Sequence, residues 1–598
     1  MGVSPMRPLT HGRDAHAARH YHAVMNHLVP LVPLLILSTA SFASTTQRSS
    51  LQFKIALLGN PVTRAEWSEA NLQTLKDAGF NQIQLNIAWG SRPFKEALNL
   101  NDVVAPAGEE MHPEVQRRNT ELKQRIALAK KVGLRTLFHF GSPFMWRNPD
   151  TGEILRGKPD AFKMPFFDTG NPKLVAYETA LLEQLVNQFP DIDDILVYTY
   201  DQDAWQANQF SDAKFSRGIP LHERLPAYLK KLHETFTKNR DGHRMWWEPW
   251  ELSAGQIYKI IPQLPTENFG LIIHCNIAEA QIAKPVDLWY RQAVRLCAER
   301  NIPVVGEAAF CDMTEETQDW SIPCPRLADE QFLAMTNVPG IVGIKEYFGI
   351  PLAPRDLNFK IFSARLKGAT ENTETLIDQQ IKSFGDQAPQ VKTIVKHLAD
   401  AMQMYPWEGA WQFRLTSHAS IDHGWHAAYI HGQMADTPSW NSTRRAMFMV
   451  TDDRQQHPDL LEDIQLRCEI AADHFDKASK LAAEAAPKLA GDSAAYLTKL
   501  SKESDGFMRV ARSFSLHLRE TNIAWLLRGD LEANRPLQPK LVEEMKKLLQ
   551  ADAENQHNQG RVLEMQKLFN DHPDQFLQTH LKESKTTLEK GHFTVTTR

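Results

Sequence analysis

Residues 244–275 read RMWWEPWELSAGQIYKIIPQLPTENFGLIIHC. The first five are a short β-type run ending in Glu248. Ser253 then stands where a helix N-cap belongs, residues 254–261 carry a helical pattern, and residues 270–275 (GLIIHC) form a second apolar run. Strand, helix and strand in this order make a βαβ unit, whose two strands lie parallel.

Outward from this unit the same alternation recurs in both directions. Strand candidates are residues 53–58 (FKIALL), 82–87 (QIQLNI), 135–140 (RTLFHF) and 195–200 (ILVYTY) on the N-terminal side, and 302–306 (IPVVG) and 341–344 (IVGI) on the other. Helical patterns fall between them at 66–78, 118–132, 173–188, 226–239, 286–300 and 329–336, the first two stopped by Gly79 and Gly133. Eight βα repeats close one barrel of roughly 300 residues. The competing architecture is an open doubly wound sheet, but no GxGxxG phosphate loop follows the first strand. The expected fold is therefore α/β, a (β/α)8 TIM barrel over 50–354 followed by an α-helical C-terminal domain over 355–598, where Ala, Leu, Glu and Lys recur with a period of 3.6.

The chain has 598 residues, 42% of them hydrophobic, with a net charge of -5. Lys and Arg are dispersed, which speaks against a nucleic-acid partner. Five cysteines without a CxxC pair spell neither a zinc site nor a disulfide framework, leaving one local bridge, Cys311 to Cys324, open. Residues 28–37 (LVPLVPLLIL) precede STASFAS, in which Ser41 and Ala43 suit a signal peptidase. Residues 1–43 are thus expected to be a signal-peptide region, with Met25 an alternative start. The mature chain would begin near Ser44, secreted or periplasmic, without stable membrane insertion.

Active sites of such barrels lie at the C-terminal ends of the strands, and here those ends are polar. Strand four runs into Tyr200, Asp201, Gln202, Asp203 and Trp205, and strand five into Glu248 and Trp250. His139 lies on strand three, Trp89 follows strand two, and strand six brings His274 and Asn276. Strand seven ends at Glu307, and strand eight at Lys345, Glu346 and Tyr347. Hydrolysis of a glycoside needs two carboxyl groups, one protonated to donate to the leaving oxygen and one ionised. Glu307, in VVGEAAF, and Glu346, in IKEYFG, sit among apolar neighbours where an idle charge is expensive. Candidate catalytic residues are Asp203, Glu307, Asp201, Glu248 and Glu346. Trp89, His139, Tyr200, Trp205, Trp250, His274, Asn276 and Tyr347 are candidates for substrate binding, aromatic faces stacking on the C–H faces of sugars. Neither a metal nor another cofactor is expected, since His423 and His426 lack an acidic helper.

The eight-strand pattern, the acids of YTYDQDAW and those of VVGEAAF and IKEYFG resemble the barrel glycoside hydrolases, in particular family 20 hexosaminidases and family 67 α-glucuronidases. The resemblance covers about residues 50–350 and implies acids at the end of strand four and of later strands; the α-glucuronidases also carry a helical C-terminal domain. The Asp-Gln-Asp of strand four departs from the hexosaminidase Asp-Glu pair, so substrate-assisted catalysis does not carry over. The resulting expectation is an exported glycoside hydrolase acting on oligo- or polysaccharides, with Asp203 as acid, Glu307 as the opposing carboxylate, and Asp201, Glu248 and Glu346 in support. Its alternatives are a non-catalytic carbohydrate-binding barrel and a barrel lyase.

Overall fold

In the computed structural model, the residues described are 51–59, 65–86, 100–141, 169–198, 215–249, 252–276, 281–311, 321–353, 355–407, 458–555 and 561–579. Eight strands form a closed parallel barrel in sequence order: β1 (Phe53–Leu57), β2 (Gln82–Gln84), β3 (Arg135–Gly141), β4 (Asp194–Tyr198), β5 (Arg244–Glu248), β6 (Phe269–His274), β7 (Val304–Ala308) and β8 (Ile341–Glu346). The ring closes where Ile55 of β1 pairs with Lys345 of β8. Every strand expected from the sequence is present, displaced by no more than a few residues at its ends.

Alternation along the strands sorts their side chains into an inner and an outer set. Phe53, Ile55, Leu137, Leu196, Trp246, Ile272 and Val305 form the apolar filling of the barrel. Gly270 on β6 makes room for it, because a Cβ there would overlap the Trp246 ring. The N-terminal end is sealed by Asp194, whose carboxylate accepts from Gln82 Nε2 (2.8 Å), Trp246 Nε1 (3.2 Å) and Arg135 Nη2 (2.9 Å). Trp247, one residue on, belongs to the outer core beneath the helices. Both tryptophans are therefore packing residues.

Helices α1 (Glu69–Asp77), α2 (Pro113–Val132), α3 (Pro172–Gln188), α4 (Leu221–Thr237), α5 (Ala254–Ile260), α6 (Leu288–Ala298), α7 (Pro325–Thr336) and α8 (Leu357–Leu366) surround the strands. Their ends follow local chemistry. Ser253 and Gln256 make a reciprocal capping box on α5, and Gly133 ends α2 at φ 78°, where a side chain would be strained. Helix α4 begins a turn before Pro226, which it holds internally, so the proline does not mark its start.

The barrel packing runs past Pro354, because Phe362 and Leu366 of α8 join the outer core. Beyond it come α9 (Thr373–Ile381), α10 (Ala388–Met404), α11 (Pro458–Ala485), α12 (Gly491–Glu532), α13 (Pro539–Asn555) and α14 (Arg561–Asp571). Their apolar faces form two clusters, the larger of which includes Ile322, Cys324 and Leu327 from the β7–α7 side of the barrel. All five cysteines are buried free thiols, so Cys311 and Cys324 are not bridged. Among the described residues no helix is long and apolar enough to cross a membrane.

Candidate active site

Two residues beyond the apolar filling, at the C-terminal mouth, every inward position from β2 to β8 is polar. Leu137 is followed by His139, Leu196 by Tyr198, Trp246 by Glu248, Ile272 by His274, Val305 by Glu307 and Gly343 by Lys345, and on β2 Gln82 is followed by Gln84. The same alternation that fills the barrel therefore stacks a polar layer on top of it. All seven of these side chains are buried.

His274 joins the two carboxyl groups. Its Nε2 lies 3.0 Å from Glu248 Oε1 and 3.3 Å from Glu307 Oε2. The second oxygen of each acid has a different neighbour. Lys345 Nζ donates to Glu307 Oε1 from the paired position of the next strand, and His139 Nε2 stands 3.6 Å from Glu248 Oε2. A further ring of bonds orients His139: Gln84 Nε2 meets its Nδ1 at 3.2 Å, while its backbone N–H donates to Asn86 Oδ1 at 2.9 Å. Edge-on contacts hold both imidazoles, Tyr198 against His139 and Tyr347 against His274.

The electrostatics follow from this burial. Loss of hydration pushes Glu248 up to about 7, against the pull of Lys345 and a hydrogen bond with Glu307. Glu307 also rises to about 7, first through burial and then through the charge of Glu248, with Lys345 and His274 opposing. Burial drives His274 down to about 3, so its imidazole is neutral at neutral pH. Two neighbouring buried acids with a single ammonium beside them hold one negative charge comfortably and the second poorly. Near pH 7 the group therefore keeps one proton between Glu248 and Glu307, and Lys345 favours the ionised form at Glu307.

The other sequence candidates divide. Glu346 is adjacent to Lys345 and faces away from the barrel interior, its carboxylate accepting from the backbone N–H groups of Phe310 (2.9 Å), Phe348 (3.2 Å) and Gly349 (3.3 Å). Burial raises it to about 8 despite those bonds. It ties together the loops after β7 and β8 and does not join the Glu248–His274–Glu307 group. Asn276 donates to the carbonyls of Lys284 (3.2 Å) and Pro285 (3.4 Å), which fastens the loop after β6. Trp89, Tyr200, Asp201, Asp203, Trp205 and Trp250 lie outside the described residues. Gln84 and Tyr198 are members of the polar layer that the sequence reading passed over. Counting two residues on from Leu196 and from Gln82 along the inward face of their strands would have found both.

The donor atoms of Glu248, His274 and Glu307 lie within 4.8 Å of one another, a spacing that metal ligands share. The Lys345 ammonium bonded to Glu307, however, already supplies the positive charge that such a set would otherwise draw from an ion.

No family model and no curated protein sequence matches the chain. Solved structures do. One is a family 138 glycoside hydrolase described as targeting pectin rhamnogalacturonan II, at 12% identity and a TM-score of 0.55 over 88% of this chain and 62% of that one. The present chain thus spans less than two thirds of that enzyme's length. CpGH84B matches at 10% identity and a TM-score of 0.36 over 84% of this chain and 74% of its own. A family 5 subfamily 18 protein from Bifidobacterium longum subsp. longum matches at 13% identity and a TM-score of 0.35 over 53% and 80%. At 12% identity the likeness to the family 138 glycoside hydrolase is one of fold.

Proposed function

We propose that this chain hydrolyses glycosidic bonds, with Glu307 as the ionised carboxylate and Asp203 as the acid. The observation that supports this reading most directly is the setting of Glu307. It is a fully buried carboxylate at the barrel mouth, held between the Lys345 ammonium and the neutral His274 ring. Burial makes a carboxylate a stronger base, and the ammonium keeps it ionised, which together suit either attack on an anomeric carbon or removal of a proton from water.

Glu248 is not the partner across the scissile bond. Retaining enzymes keep their two carboxyl groups about 5–5.5 Å apart and inverting ones about 6.5–9.5 Å apart, room that a sugar or a sugar and water must occupy. Glu248 and Glu307 instead meet at one imidazole nitrogen. Glu248 is thus a positioning residue that shares a proton with Glu307, and the acid must come from another strand end. The Asp-Gln-Asp that follows β4 supplies it in this proposal, consistent with the resemblance to families 20 and 67. The leaving oxygen takes its proton from Asp203, while the anomeric carbon bonds to Glu307 or to the water that Glu307 deprotonates. The proposal includes export, supported by the apolar run at 28–37 and the small residues Ser41 and Ala43 that follow it.

Turnover of an aryl-glycoside and oligosaccharide panel by Glu307→Gln and Asp203→Asn tests the assignment. Glu307→Gln is expected to lose orders of magnitude in kcat with substrate binding kept. Asp203→Asn should suffer most on poor leaving groups, which depend on proton donation. Wild-type rates in both variants would overturn it.

A further inference from the structure

Outside the barrel mouth, two other groups of described side chains bring metal-type donor atoms within 4.8 Å of one another: His517, Glu520 and Asp552, and His397, Asp400 and His474. The first is sealed among the C-terminal helices, with Asp552 bonded to both Ser513 (3.0 Å) and His517 (2.8 Å). The second is half-buried and reaches solvent. It bridges α10 and α11, which pack along each other.

His397 and Asp400 are three apart on α10 and so share one face of the helix. His474 comes from α11, and its Nδ1 lies 3.0 Å from His397 Nδ1. Two imidazole lone pairs at that distance repel unless a proton or a cation lies between them. A tetrahedral ion with metal–nitrogen bonds of about 2.0–2.1 Å holds two ligand nitrogens roughly 3.3 Å apart, so a shift of a few tenths of an ångström converts this pair into a ligand pair.

Asp400 is oriented as a ligating carboxylate commonly is. Arg326 Nη2 of α7 bonds its Oδ1 at 3.2 Å and Lys396 Nζ its Oδ2 at 3.2 Å, each leaving a lone pair on the oxygen. Arg326 also bonds Gln403 Oε1 at 3.1 Å, which fixes the guanidinium in turn. Lys396 and Lys477 stand near the two imidazoles, and the carboxylates of Asp400 and Asp473 lie close enough to offset part of that positive charge.

We propose that His397, Asp400 and His474 form a binding site for a divalent transition-metal ion of the zinc class, with water as the fourth ligand, that clamps α10 to α11. Nitrogen with one carboxylate oxygen favours such ions over Mg2+ or Ca2+. The site is remote from the Glu248–His274–Glu307 group by sequence element and does not depend on how that group works.

The test uses the full chain after chelator treatment. Because the chain holds 23 histidines in all, bound Zn2+ is compared between the parent and His397→Ala and His474→Ala by equilibrium dialysis. Melting temperature is followed with and without Zn2+, and the visible spectrum is recorded with Co2+ as a probe of tetrahedral geometry. The parent is expected to hold one equivalent more than either variant, to melt higher with Zn2+, and to give the tetrahedral Co2+ band. Both variants should lose these responses, and Asp400→Asn should weaken binding by at least about tenfold. The positions are half-exposed, so unchanged circular dichroism of the metal-free variants serves as the folding control, with His397→Gln and His474→Gln in reserve. Equal zinc content and equal melting shifts in parent and variants would overturn the proposal.

Discussion

Glu307 and Lys345 are paired across adjacent strands β7 and β8, and the lysine ammonium bonds the carboxylate inside the closed barrel. Both side chains are buried, so neither charge has bulk water as an alternative partner. The pair therefore decides where negative charge resides in the polar layer.

Lys345→Met removes a cation that lowers the pKa of Glu248, Glu307 and Glu346 together. Under the proposed assignment, the acidic limb of kcat/KM against pH reports ionisation of Glu307 in the free enzyme and is expected to move to higher pH, with rates near pH 6 falling at least about tenfold. An acidic limb at its original position in an active, folded variant would refute this role for the lysine.

Glu248→Gln has the opposite sign. The charge of Glu248 raises Glu307, so its removal should move the same limb to lower pH while part of the turnover survives. Complete loss of activity at every pH would instead place Glu248 among the residues that react.

Glu178 on α3 is buried, and loss of hydration alone lifts it to about 8. Its folded pKa lies above the unfolded value, so the folded state holds a proton that the unfolded state releases between about pH 4.5 and 8. Stability from this group is present below pH 4.5 and is lost as pH rises through 8. Glu178→Gln should match the parent near pH 4.5 and melt a few degrees above it at pH 8.5, as thermal unfolding monitored by circular dichroism will show. An equal difference at both pH values would contradict the assignment.

Arg365 of α8 grips Asp329 of α7 with two bonds, Nε to Oδ1 at 2.6 Å and Nη2 to Oδ2 at 2.8 Å, and Thr373 of α9 adds a third at 2.6 Å. All of the pair is buried. Asp329→Ala leaves the guanidinium without its counter-charge and should cost about 3–5 kcal/mol in denaturant unfolding. A loss below about 1 kcal/mol would mean that water reaches the arginine.

Much of the architecture was legible because its signals are local. Strands β1 to β8 show as short apolar runs, α2 and α5 show their stop and start in Gly133 and Ser253, and eight repeats suffice to close a ring. Nearest-neighbour chemistry sets each of these, and the structure agrees to within a few residues for most elements. Pro226 misled because a proline usually opens a helix, whereas here the α4 apolar face, with Leu225, Leu229 and Leu232, extends across it.

By itself, then, the sequence determined the parallel barrel, the helical region after it and the wealth of carboxyl groups at the strand ends. Which of those groups meet was decided only by the tertiary structure. Glu346 and Lys345 are neighbours in the chain, yet a one-residue step turns a strand side chain to the opposite face, so one binds loop backbone and the other enters the barrel. Glu248, His274 and Glu307 come from three strands and touch only because ring closure brings β5, β6 and β7 side by side, where burial and mutual contact set their charge. Composition carries no record of that proximity, since it is a property of the closed ring and not of any one strand.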